Sequence, residues 1–226
     1  MTMLVLCPSR GRPEKAHELL ATFQVTKALP NTLLAFIVDD DDPTAEAYPA
    51  GSYVVPRGRP GMADALNRIA TLECGKHDII GFVGDDHRFR SQGWDRRIEQ
   101  ILDLGGFAYG NDLFQGPNLP TAVFISGRIV EKLGWFCPPA QKHLYLDNAW
   151  KLLGERSGSL HYLPDVIIEH MHPAAGKAEW DEGYVRVNSV AMYDEDRIAY
   201  ESWVLHSSEA DISKVRAALA DIADGA

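Results

Sequence analysis

Three stretches of this chain share one pattern: an apolar run of strand length that stops on a polar cluster. "MLVLC" (3–7) runs into "PSRGRP", "TLLAFIV" (32–38) into "DDDDP", and "DIIGFV" (78–83) into "GDDH". Short runs without polar alternation are those of strands buried on both faces. The text between them has helical spacing. Pro13 suits a first helical turn ahead of "EKAHELLATF", and "GMADALNRIATLE" sets Met62, Leu66, Ile69 and Leu72 on one expected face. "SYVVPRG" (52–58) reads as a further short strand, and "SQGWDRRIEQILDLG" (91–105) as a helix closed by glycine. Alternating strands and helices predict an α/β fold with a mostly parallel, Rossmann-like central sheet flanked by helices. Functional residues in such sheets gather beyond the carboxyl ends of the strands, where all three polar clusters fall.

The second half is less regular. "FAYGNDL" (107–113) and "TAVFISG" (121–127) read as strands, and "RIVEKLGWF" (128–136) and "LYLDNAWKLLGE" (144–155) as helices. "LHYLPDVIIEHMHP" (160–173) gives one or two more strands. Polar text follows, ending in the helical-looking "DISKVRAALADIA" (211–223). With no internal repeat and no linker, residues 1–226 are expected to form one domain with a C-terminal extension.

Composition removes several classes. No apolar run approaches the roughly 20 residues that cross a bilayer, and the N-terminal apolar segment reads as a core strand, too short for a signal peptide. Cys7, Cys74 and Cys137 lie far apart with no C-x-x-C pair, which argues against a disulfide framework or structural zinc and sets a reducing, cytoplasmic location as the expectation. A net charge of −10 disfavours non-specific polyphosphate binding. Arg57, Arg59, Arg88, Arg90, Arg96 and Arg97 allow a local basic groove, or are simply solvated arginines.

Asp85, Asp86 and His87 carry the strongest chemical signal. Adjacent like charges at a strand end need water or a cation to offset their repulsion, and this donor set suits Mn²⁺ or Mg²⁺ with a phosphate partner. The bland alternative is a solvated turn with a capping aspartate. In "VIIEHMHP" strand alternation puts Val166, Ile168, His170 and His172 on one face, so either histidine can complete such a site, or the two form a core-edge pair. Four adjacent aspartates (39–42) cannot all be buried uncompensated, and one or two can accept hydrogen bonds from a base or ribose. The turn after the first strand presents Ser9, Arg10 and Arg12 to the same edge, where arginine stacks on a base or pairs with phosphate. Asp147 opens a helix as a cap or as a general base.

No G-x-G-x-x-G follows the first strand, "AAGKAE" is not a phosphate-binding P-loop, and there is no G-x-S-x-G nucleophile elbow.

A first strand ending in "PSRGRPE", a second ending in "VDDDD", the helix "GMADALNRIA" and then "GFVGDDHRF" together resemble glycosyltransferases of the GT-A fold, in particular the family-2-like group, over roughly residues 3–173. The resemblance implies a nucleotide-diphosphate sugar donor, usually a uridine nucleotide, and Mn²⁺ or Mg²⁺ at a D-x-D motif. Carried onto this chain, Asp85 and His87 take the outer D-x-D positions and Asp86 lies near the ribose or sugar. The metal's partner among Asp86 and His87 stays open, as does the late ligand among His170 and His172. Asp39 and Asp40 match the acid that binds base and ribose, Arg10 the opening loop, and Asn67 the asparagine late in the next helix. Ser9, Arg12 and Arg57 join this nucleotide-sugar set. Asp147 falls where inverting members carry a catalytic carboxylate, although Asn148 stands where an acidic pair is common. "AAGKAEWDEGY" falls where members often have a lid, from which Lys177 can reach the diphosphate.

The expected division is a nucleotide-sugar half (1–104), an acceptor side (105–173), and a lid with extension (174–226). Trp94, Trp135, Phe136, Tyr145, Trp150 and Trp180 are either core or sugar- or base-stacking residues. The acceptor hydroxyl belongs to a glycan, small molecule, protein or modified DNA base. Two rival enzymes share the constraints. A nucleotidyltransferase of the same fold wants a Gly-rich, Lys-containing loop that "PSRGRPEK" matches badly. A metal-dependent phosphohydrolase wants several His/Asp ligands early, and the first 76 residues hold a single histidine, His17. A non-catalytic sugar- or nucleotide-binding module is a further class.

Overall fold

In the computed structural model the described residues are 1–58 and 61–225; Arg59, of the expected basic cluster, lies outside them. The first half runs β1 (Met3–Pro8), α1 (Pro13–Thr26), β2 (Thr32–Asp39), β3 (Tyr53–Val55), α2 (Ala63–Glu73), β4 (Ile79–Phe82), β5 (His87–Phe89) and α3 (Trp94–Ile101). The second runs β6 (Phe107–Asn111), β7 (Val123–Ser126), α4 (Gly127–Leu133), α5 (Leu146–Ser157), β8 (Leu160–His170), α6 (Glu182–Val187), α7 (Val190–His206) and α8 (Ser208–Gly225).

The strands form one sheet in the order β3-β2-β1-β4-β7-β6-β8-β5. From β3 to β4 neighbours are parallel, β7 runs antiparallel to β4 and β6, β8 is parallel to β6, and β5 is antiparallel to β8. This is the expected α/β architecture. The continuous apolar runs have a direct cause, because alternate residues feed two separate cores. On β1, Leu4 and Leu6 pack on one side while Met3, Val5 and Cys7 pack on the other, and on β2 Ala35 and Ile37 oppose Phe36 and Val38.

The face of α2 is turned from the one expected. Leu66 and Ile69 are buried with Ala63 and Ala70, but Leu72 is exposed. The extension is part of the core: α8 buries Ile212, Val215 and Ala218 in the same cluster as Val130 of α4 and Leu153 of α5. None of the described helices is long and apolar enough to cross a membrane.

Asp95, fully buried at the start of α3, accepts the backbone N–H groups of Ala28 at 2.9 Å and Leu29 at 2.8 Å, fixing the turn between α1 and β2. Asp95→Ala would strand both donors. It is expected to cost about 2–4 kcal/mol, read as a lower urea midpoint.

Candidate active site

The three polar clusters do meet at one edge. β4 ends at Phe82, and the chain turns through Val83–Asp86 before starting β5, whose short ladder pairs His87 opposite His170 of β8. That register stacks the two imidazoles, with centroids 4.3 Å apart and planes 15° apart.

Asp86 sits between them. Its Oδ1 lies 3.4 Å from His87 Nδ1 and its Oδ2 3.3 Å from His170 Nε2, while the Tyr184 hydroxyl donates to Oδ2 at 2.8 Å. Burial alone would raise the Asp86 carboxyl, but hydrogen bonds and charge from His170 and His87 outweigh it and hold it well below the ordinary range. His87 is shifted down, by burial first and then by His170. His87 Nε2 and His170 Nδ1 are buried polar atoms with no hydrogen-bond partner. Donor atoms of Asp86, His87 and His170 all lie within 4.8 Å of one another. A carboxylate and two imidazoles, each with one unpartnered nitrogen, fit a divalent cation, and the nitrogen ligands favour Mn²⁺ over Mg²⁺.

Asp85 points elsewhere. Its Oδ2 accepts from Ser9 Oγ at 2.6 Å and its Oδ1 lies 3.4 Å from Arg12 Nη1; Ser9 Oγ also pairs with Tyr48 Oη at 3.0 Å. Burial, followed by the neighbouring Asp86, raises its carboxyl. His172 lies past the end of β8, where its Nδ1 accepts the Ala174 N–H at 3.1 Å and its ring stacks on Phe114.

At the end of β2, Arg10 bonds Asp39 at 3.0 Å and also Asp41. Arg57 reaches Asp41 from the other side at 2.8 Å, and its N–H binds Asp40 at 3.0 Å. Buried Asp42 holds the loop, accepting from the Gly11 N–H at 2.7 Å and from Thr44. Asn67 is not brought to this edge: its amide clamps the backbone of Phe136 and Cys137 with bonds of 2.8–2.9 Å. Lys177 Nζ bonds Glu169 at 2.8 Å and the Leu113 carbonyl at 3.4 Å.

Of the other named arginines, Arg88 pairs with Glu18, Arg90 with Glu169 and Arg97 with Asp165. Trp94, Trp135, Phe136 and Trp150 are core; Trp180 is exposed.

Asp147 lies in the first turn of α5, following Tyr145 in the left-handed region (φ 62°). Burial pushes its carboxyl up to about 6, against the opposing pull of the Asn148 N–H, its own N–H and the charge of His170. The loop before it is fixed from α7, where buried Asp196 accepts the N–H groups of Lys142, His143 and Leu144 at 2.6–2.8 Å.

Sequence reasoning missed Tyr184, Tyr48, Asp112 and Asp196. Asp112, whose Oδ2 is 3.9 Å from His170 Nδ1, gathers the N–H groups of Phe114, Gln115 and Gly116. Only Tyr184 had a readable signal, because Asp181 is a capping residue three positions before it and does cap α6.

No protein-family model and no curated protein sequence matches the chain. Solved structures do match. The mannosyltransferase PcManGT of Pyrobaculum calidifontis, solved with GDP-Man and Mn²⁺, is 13% identical over 99% of this chain and 75% of its own, with a TM-score of 0.57. Residues 1–349 of S. aureus TarS with UDP match at 10% identity over 100% of this chain and 92% of that one, TM-score 0.59. Glucosyl-3-phosphoglycerate synthase of Mycobacterium tuberculosis, with Mn²⁺, UDP and phosphoglyceric acid, matches at 13% over 89% and 78%, TM-score 0.59. At such identities the likeness lies in the fold alone: this chain has the GT-A fold.

Proposed function

We propose that the protein is a metal-dependent glycosyltransferase that moves a sugar from a nucleoside-diphosphate donor, a UDP-sugar first, to an acceptor hydroxyl with inversion. The observation that carries this reading is the Asp86–His87–His170 cluster, its first two members buried and His170 half-buried, with two orphaned imidazole nitrogens, set at the strand ends of a GT-A fold. Solved proteins of that fold hold UDP or GDP-Man with Mn²⁺, which supports the donor class.

Asp86, His87 and His170 would hold the cation, which when bound supplies a Lewis acid for the charge developing on the departing diphosphate. Asp39 and Asp40 accept hydrogen bonds from the base and ribose, and Arg10 and Arg57 hold that acidic loop in place. Arg12, beside Asp85, and Lys177 add positive charge for the phosphates. Asp147, ionised at neutral pH with a carboxyl near 6, takes the acceptor hydroxyl's proton as its oxygen attacks the anomeric carbon.

The test is calorimetric titration with UDP, GDP, CDP and ADP, each with and without Mn²⁺. UDP is expected to bind tightly only with the metal. Preference for another diphosphate would change the donor but leave the class. Absence of metal-dependent binding to all four would remove the reading.

A further inference from the structure

Helix α6 belongs to the extension, yet it is seated in the site. Asp181, its cap, forms an ion pair with Arg12 and lies 3.4 Å from Lys15 Nζ. Tyr184, one turn later, is buried: its hydroxyl reaches Asp86 and lies 3.3 Å from Lys15 Nζ. The Arg12 guanidinium carbon stands 4.1 Å from the Tyr184 ring centroid and the Lys15 ammonium 4.6 Å. The approach is close: a Cβ at Gly183 would lie 2.5 Å from a guanidinium nitrogen of Arg12, so that side-chain tip would have to shift. Beside this contact is a cavity of about 490 Å³ whose wall includes Lys15, Asp86, Arg88, Met171 and Lys177.

Two cations converge here on one carboxylate, next to Asp85 and Asp86. Asp181 keeps a side chain 40% exposed, so this pairing is weak and exchangeable. A phosphate brings more charge and more acceptor oxygens to the same donors.

We infer that Arg12 and Lys15 form the pyrophosphate subsite of this chain, and that Asp181 is its internal occupant, an intramolecular competitor that the donor's diphosphate displaces. This rests on the nucleotide-sugar reading above and adds Lys15, Asp181 and Tyr184 to it. Displacement of Asp181 also frees the Tyr184 hydroxyl from Asp86, so anion arrival and opening of the cation cluster are coupled. Affinity for an anion is then reduced by the fraction of molecules in which α6 is docked.

The probe is inorganic pyrophosphate, titrated calorimetrically with Mn²⁺ into the full chain. Asp181→Asn keeps the cap and removes the competing charge, and is expected to tighten pyrophosphate binding about five- to tenfold. Lys15→Met is expected to weaken it about tenfold, and in the double variant the gain from Asp181→Asn shrinks. Hydrogen exchange at the Tyr184, Val185 and Asn188 amides should speed up when pyrophosphate is added.

Unchanged or weaker binding in Asp181→Asn, slower exchange in α6, or no pyrophosphate binding to wild type and variant alike would each overturn the inference. Nucleoside diphosphates that bind with no response to Lys15 or Asp181 would also overturn it while leaving the proposed function standing. If the pyrophosphate pattern holds but no nucleoside diphosphate binds better than pyrophosphate, the subsite stands and the nucleotide-sugar reading falls.

Discussion

Asp147→Asn is expected to lower turnover by two to three orders of magnitude and at the same time to make the protein more stable at pH 7. The first effect follows from removing the proposed general base, a kind of group that contributes about 10²–10⁴-fold. The second follows from the carboxyl's position near 6 in the fold, above its ordinary value of 3.8. A folded state that holds a proton more tightly than the unfolded chain loses stability as pH rises from about 4 to about 6, and stays penalised above that window. Asparagine does not ionise, keeps an oxygen for the Asn148 N–H that Asp147 accepts at 2.9 Å, and should recover about 1–3 kcal/mol. Turnover of the natural protein should correspondingly rise with pH up to about 6 and then level off. A variant that loses activity and stability together has misfolded. One that stays within a few fold of wild type reduces Asp147 to a helix cap.

The second large effect separates two adjacent aspartates. Asp86→Asn is expected to weaken Mn²⁺ binding at least about a hundredfold, because the oxygens that face His87 and His170 lose their charge. Asp85→Asn is expected to change it by less than about tenfold, since Asp85 is spent on Ser9 and Arg12. Titration of each variant with Mn²⁺, followed by calorimetry, checks the pair. Equal losses would mean that both acids hold the cation, and the reverse order would move the site to Asp85.

Much of the frame was legible because its signals are local. The strands β1, β2 and β4 are apolar runs of the right length, and Pro13 does open α1. The edge where the polar clusters meet follows from strand–helix alternation alone. What sequence could not supply is register. Nothing in "DDHRF" says that His87 starts a three-residue strand, and only its pairing with β8 puts it opposite His170 while His172 passes beyond the ladder. The helix α7 escaped for a different reason. It buries only Asp196 and Trp203, so it has no apolar stripe to betray its period. Asn67 shows the same gap in reverse: a position named by resemblance carries an amide that braces the backbone at 136–137.

The antiparallel pairing of β5 with β8 also bears on how the chain is assembled. The two strands are remote in sequence, with Arg90 meeting Glu169 across 79 positions. Asp86 and His87 are therefore synthesised long before His170 exists to face them. Until β8 lands, an acid–acid–imidazole edge stands with its third donor missing. Closing so long a loop is an entropic cost that local contacts cannot offset. If the proposed cation site holds, its affinity belongs to the finished topology rather than to a peptide motif, and a fragment ending before His170 would carry the motif without the third donor.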